Sequence, residues 1–223
     1  MKKNVITLFA FAALSLTACK NDPKNTVDTT DTIESTEASK DATPFSIAAA
    51  ESKVEWTGSK LTGGKHHGTI TIANGEINVK DGKIENGKIV FDMKSIAVED
   101  LKAGDGKEDL EAHLKGTGKE EATDHFFNVN KYPQGTFEIT SITEENGKSI
   151  VSGNLTLKDV TKAIKFPAMI TVTDKEVMIH ADEFAINRTQ WNISFNSNSV
   201  FDNLGDKAIN DDILIKLHVK ATK

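Results

Sequence analysis

From Phe45 onward, large apolar and polar residues alternate with a period of two, run after run. Val54 and Trp56 alternate with Glu55 and Thr57, and Ile70 and Ile72 with Thr69 and Thr71. Ile89, Phe91 and Met93 alternate with Val90, Asp92 and Lys94, and Phe137 and Ile139 with Glu138 and Thr140. Val151, Gly153, Leu155 and Leu157 share one face, as do Ile164, Phe166, Ala168, Ile170 and Val172. Val177 and Ile179, then Phe184 and Ile186, continue the pattern. The last run sets Ile213, Ile215, Leu217 and Val219 against Asp212, Lys216, His218 and Lys220, with only Leu214 out of step. This period predicts strands with one apolar and one solvated face. Asn74-Gly75, Asp81-Gly82, Asn86-Gly87 and Asn146-Gly147 accept the positive φ of tight hairpins, so successive strands are expected to be antiparallel neighbours. Such a series makes a sandwich or an up-and-down barrel, and a barrel leaves no open edge. One stretch breaks the period. Lys107 to Lys115 places Leu110, His113 and Leu114 at helical spacing, with Gly116 as a stop. A polar run to Thr123 follows, so a short helix and loop are expected over one barrel end.

The first 18 residues read as an address. Lys2 and Lys3 precede an apolar stretch from Val5 to Leu16, too short to span a bilayer. It ends in Leu16-Thr17-Ala18-Cys19, which resembles a bacterial lipobox, and Cys19 is the single cysteine of the chain. Cys19 is therefore expected to be the lipidation site and the membrane anchor. Lys20 stands where an inner-membrane retention signal would have Asp, so the expected address is the outer membrane facing the periplasm, with the cell surface left open. Residues 19–44 follow as a lipidated cysteine and a tether. Their composition holds almost no large apolar side chain beyond Val27 and Ile33 and predicts disorder, with a coil dimension of roughly 25–30 Å. The folded domain is expected over 45–223. A net charge of −6, with Arg188 the single arginine among 27 basic residues, argues against a nucleic-acid partner.

Three ordered segments resemble a known family. His113-Leu114, then Phe126-Phe127-Asn128-Val129-Asn130-Lys131-Tyr132-Pro133 and Thr136-Phe137, form the first. Gly153-Asn154-Leu155-Thr156-Leu157-Lys158-Asp159-Val160-Thr161-Lys162 is the second, and Phe184-Ala185-Ile186-Asn187-Arg188-Thr189-Gln190-Trp191-Asn192-Ile193 the third. Together they are similar to the YceI-like family of lipid- or polyisoprenoid-binding proteins. The resemblance implies an all-β fold: one antiparallel up-and-down β-barrel, extended lipocalin-like, with the helix–loop insertion at one end. It departs from the family pattern in the polar insertion from Gly116 to Thr123 and in the long polar stretch from Asn196 to Ile209.

The resemblance further implies a barrel interior that holds a long apolar chain: a polyisoprenoid, an isoprenoid quinone or a fatty-acyl chain. Parity puts Trp56, Phe91, Phe137, Leu155, Phe166, Phe184, Ile186 and Trp191 on the cavity wall. Arg188 is read as a headgroup contact or as a structural salt bridge, and His113 as a packing or hydrogen-bonding residue of the helix–loop segment. Adjacent His66 and His67 on a strand point to opposite faces, and no histidine pair has helical metal-site spacing, so no metal is expected. No nucleophile motif or phosphate loop is present, so neither catalysis nor a cofactor is expected. The competing reading is a ligand-free interaction module of the cell envelope. Oligomeric state is left open, a dimer included.

Overall fold

The alternating runs become strands in a computed structural model, which describes residues 26–223. The expected signal segment and Cys19 lie outside the described residues. Two short strands come first, β1 (Thr29–Thr30) and β2 (Thr43–Ile47). Eight strands then follow: β3 (Lys53–Ser59), β4 (Lys65–Lys80), β5 (Lys83–Val98), β6 (Gln134–Glu145), β7 (Lys148–Leu157), β8 (Val160–Val172), β9 (Glu176–Asn187) and β10 (Asp212–Thr222). Each of the eight pairs antiparallel with the next, and β10 returns to β3 through Ile215↔Trp56 and Leu217↔Val54. The result is a closed up-and-down barrel of eight strands, as expected. The predicted helix is α1 (Lys107–Lys115), ended by Gly116 in the left-handed region. It lies between β5 and β6, at the end where β3, β5, β7 and β9 finish. That end is the top.

Two of the four expected hairpin turns are turns. Asp81-Gly82 and Asn146-Gly147 have positive φ at both residues and close the bottom end. Asn74-Gly75 and Asn86-Gly87 lie inside β4 and β5 instead, where Asn74 pairs with Val90 and Asn86 with Asn78. Gly75 serves a close approach rather than a turn. A Cβ there would come within 2.4 Å of the Lys88 carbonyl oxygen and 2.5 Å of Ile47 Cδ1. Next to it the β4–β5 register slips between Ile72 and Asn74. The slip moves the inward set from Ile70 and Ile72 to Ile77 and Val79, since one extra residue exchanges the two faces. β9 does the same between Ala181 and Phe184 opposite β10.

The interior has two levels. At the bottom, Phe45, Ile77, Ile89, Ile139, Val177 and Ile179 are buried almost completely and form a packed floor. Higher up, inward-facing Ile70, Phe91, Ile213 and Ile215 are only partly covered. The barrel is solid below and hollow above.

Residues 26–44, expected to be a disordered tether, lie against the barrel. β8 and β9 pair only from Met169 to Val172 and splay apart above. The chain fills that seam: Thr29 and Thr30 pair antiparallel with Ile164 and Ala163, and the Val27 amide donates to the Ala185 carbonyl at 2.9 Å. The Ile33 amide donates to Asn154 Oδ1 at 2.9 Å, and Asn154 Nδ2 donates back to the Ile33 carbonyl at 2.7 Å. Asn86 Nδ2 then donates to the Thr36 carbonyl. The physical reason is hydrogen bonding: the seam and two exterior asparagines satisfy backbone groups that apolar burial would not hold. Val27 and Ile33, the isolated apolar residues, are the ones that become buried and half-buried.

Candidate functional site: a roofed apolar cavity

The hollow upper half encloses about 140 Å³ with an almost wholly apolar wall. Ordinary cores seldom leave voids larger than a water. The structure puts Trp56, Phe91, Phe137, Leu155, Phe166, Phe184 and Ile186 on this wall. Phe166 and Phe184 stack face to face at 4.5 Å, with Phe137 tilted against Phe166 at 5.5 Å. Trp191 is placed elsewhere. It is fully buried in the turn Arg188–Trp191 beyond β9, and its indole N–H donates to the Leu155 carbonyl at 3.0 Å. Parity cannot place it, because the strand has ended. Met93, Ile96, Ile164, Ile213 and Leu217 complete the wall. The alternation turns Met93, Ile164, Ile213 and Leu217 inward as well; Ile96, three residues after Met93, turns inward past a second slip of the β4–β5 register, between Thr69 and Thr71.

The roof comes from the insertions. Leu114 of α1, Phe126, Phe127, Ile193 and Ile209 face the cavity. α1 is tied to the rim because the Val98 amide donates to Glu111 Oε1 at 2.9 Å. His113 lies 2.9 Å from His125, Nε2 to Nδ1, so one ring donates to the other. His125 stacks on Phe195 at 4.0 Å, and His113 meets Phe126 and Phe195 edge-on. Burial, with His125 adding to it, lowers the His113 pKa below its usual value. His113 thus packs and hydrogen-bonds within the helix–loop segment.

Lys158 is a clamp that the alternation gave no sign of. It occupies the two-residue β7–β8 turn with Asp159, both at positive φ. Its side chain is 4% exposed, and Nζ meets Asp124 Oδ1 at 3.0 Å, the Asp124 carbonyl at 3.1 Å and the Asn192 carbonyl at 3.4 Å. Lys158 holds the Asp124 carboxyl below the usual carboxylate range. One ammonium therefore joins the α1 insertion to the turn after β9. Its signal is the local conformation of a non-glycine hairpin, which residue spacing does not carry.

Arg188 borders the cavity, and its donors are taken up by backbone carbonyls. Nε donates to the Asn210 carbonyl at 3.1 Å, Nη1 to Ile193 at 2.7 Å and Nη2 to Ile209 at 3.2 Å, with Asp211 at 3.6 Å. Burial lowers its pKa, and Asp211 opposes that shift. Its guanidinium closes the 188–211 loop under the roof. One polar atom on the cavity wall is unmatched: Trp56 Nε1 is buried with no hydrogen-bond partner. Among the described residues, no three His, Cys, Asp or Glu side chains gather as a metal site would require.

The sequence pattern of the YceI-like domain matches residues 45–221. Protein YceI of Salmonella arizonae is 29% identical over 85 residues, 38% of this chain and 44% of the relative, so the match spans less than half of that relative's length. Among solved structures, Burkholderia cenocepacia BcnA superposes with a TM-score of 0.59 at 20% identity, covering 79% of this chain and 99% of that one. A polyisoprenoid binding domain from Saccharophagus degradans, implicated in plant cell wall breakdown, gives 0.56 at 12% identity, covering 80% and 97%. At these identities the likeness is one of fold.

Proposed function

The chain belongs to the YceI-like domain family, and on that premise we propose that it is a lipid-anchored envelope protein that holds one long apolar molecule in its barrel. The observation that carries the reading is the roofed apolar cavity above a packed floor. The fold shared with a polyisoprenoid binding domain supports the same class of cargo. Each buried CH₂ contributes about 0.8 kcal/mol, so one five-carbon unit supplies on the order of 3–4 kcal/mol before association costs.

The size of the cavity sets how loading proceeds. A free volume of about 140 Å³ is close to the engineered cavities that take one benzene ring. It is drawn out along β5 from Phe91 to Ile96 and along β10 from Ile213 to Leu217. The empty barrel therefore admits the leading end of a slim chain. A longer cargo displaces the Phe166–Phe184 stack and the roof residues above it. The floor stops it at the bottom.

Acylation at Cys19 would anchor the protein, with outer-membrane delivery facing the periplasm. The protein acts by sequestration, replacing bilayer or water around the tail. The test is native mass spectrometry of the secreted chain carrying Cys19→Ser, purified without detergent and then extracted with organic solvent. A stoichiometric apolar molecule released by extraction is expected. A bare protein that takes up neither polyprenol nor a long-chain amide would make a ligand-free interaction module the leading reading.

A further inference from the structure

The exposed apolar residues of this protein are unevenly placed. Among the described residues, four large apolar side chains stand exposed. Met169 is on the barrel wall. Leu61 (52%), Val200 (52%) and Phe201 (49%) are all on loops at the top. Those loops are stitched together. The Leu61 amide donates to the Ala208 carbonyl at 3.1 Å, Ile209 donates to the Asn196 carbonyl at 2.9 Å, and Phe201 donates to the Ser197 carbonyl at 2.9 Å. Ile209, a cavity-wall residue, belongs to the same stitching. The three apolar tips thus ride on the rim of the cavity.

The path of the chain points the same way. Thr26 sits at this rim, its Oγ1 donating to Asp212 Oδ2 at 3.1 Å, and Asp212 opens β10. Seven residue-to-residue steps lead from Cys19 to Thr26 and span at most about 25 Å. β4, with 16 residues, descends on the order of 40 Å at the rise and tilt usual for barrel strands. An anchor at Cys19 cannot reach past the floor while Thr26 stays in place. The bilayer must lie at the top end or beside it.

We infer that the protein docks mouth-down on its own membrane, with Leu61, Val200 and Phe201 inserted at the interface, so that cargo passes between bilayer and cavity without crossing water. This rests on the acylation of Cys19 proposed above. The partner is a lipid surface rather than a protein, because the anchor keeps that rim within about 25 Å of the bilayer. Lys60, Lys65 and Lys207 flank the tips, but so do Asp202 and Asp206. Apolar insertion, rather than attraction to anionic headgroups, therefore supplies the contact.

The test uses the full acylated protein in vesicles of phosphatidylethanolamine and phosphatidylglycerol containing doxyl-labelled acyl chains. A polarity-sensitive dye is placed on Val200→Cys or on Lys175→Cys in the bottom turn. The dye at 200 is expected to be quenched and blue-shifted, at low and high salt alike, and the dye at 175 to be unaffected. Quenching at 175 equal to that at 200 would overturn the inference. So would a protein that floats with the vesicles while the dye at 200 stays unquenched, a result that leaves the anchor standing. An unmodified mass for the mature chain would sink the anchor and this docking mode together. As a second arm, joint Leu61→Asp, Val200→Asp and Phe201→Asp should slow cargo uptake from vesicles on the order of tenfold and leave uptake from detergent unchanged. Equal slowing in both would instead mean a damaged barrel.

Discussion

Trp56 and Asp159 each break a local rule, with different consequences. The Trp56 indole N–H is buried on the cavity wall with no partner, and an unmet buried donor costs about 1–3 kcal/mol. Trp191, buried more completely, has the Leu155 carbonyl. The unmet donor favours cargo that brings an acceptor oxygen into the cavity. A long-chain amide should therefore displace a fluorescent probe more tightly than the alkane of equal length, by about 1 kcal/mol or roughly fivefold. Trp56→Phe should erase that difference; the same preference in both proteins would remove Trp56 from recognition. At Asp159 the broken rule is in the backbone, whose φ is 58°. Asp159→Gly should gain about 0.5–1 kcal/mol in urea unfolding by relieving that conformation. Lys158, at φ 47°, should respond oppositely. Lys158→Gly relieves the same conformation but removes the ammonium from Asp124 and Asn192, for a net loss of about 1 kcal/mol.

At the level of elements, α1 is held by chemistry that depends on pH. His113 and His125 share one hydrogen bond, and protonating both rings leaves it without an acceptor. The folded state holds the His113 pKa below its usual value near 6.5, so the unfolded chain takes up the proton first. Stability is full above that value and falls as pH drops through it. The depressed carboxyls act lower, below their ordinary values of 3.8 and 4.5. Thermal stability should thus fall as pH drops from about 7.5 to 5.5, and His113→Phe, which keeps the edge contacts to Phe126 and Phe195, should flatten that slope. A slope unchanged in the variant would place the titration elsewhere. The N-terminal strap gives the second element-scale expectation. Asn154→Ala should release the Ile33 amide and speed its hydrogen exchange by about tenfold or more, with little change at Ile179 in the floor. The same elements mark what could be read in advance. Period two located the barrel strands, and helical spacing located α1 with its glycine stop. The register slips beside Asn74 and at Ala181–Phe184 were illegible, because a bulge is fixed by pairing across strands. The strap was illegible because composition weighs apolar burial, whereas Ile33 is held by a side-chain amide 121 residues away. Parity turned seven of the named residues inward and the resemblance supplied the cavity they face, whereas Trp191 lies past the end of the strand, where parity does not apply.

Across the whole molecule, the contrast between solid floor and hollow upper half decides what the barrel can do. A barrel packed throughout would be a scaffold, and one open throughout would be a pore. This one is closed below by Ile139, Val177 and Ile179 and roofed by residues of the insertions, so the end open to exchange in the proposed function is the top. The division predicts opposite responses to the same change in bulk. Ile179 is 1% exposed in the floor, where extra volume forces strain. Ile179→Trp should cost about 1–3 kcal/mol or more. Ile213 is partly uncovered at the cavity, so Ile213→Trp grows into empty space. Its stability should stay within about 1 kcal/mol of the parent, while cargo uptake is lost. Urea unfolding of the two variants, paired with uptake of a polyprenol, separates a cavity that works from a flaw in packing. If Ile213→Trp were destabilised as much as Ile179→Trp, the upper barrel would be an ordinary core. If it kept its stability and still loaded cargo, the binding site would lie outside the barrel.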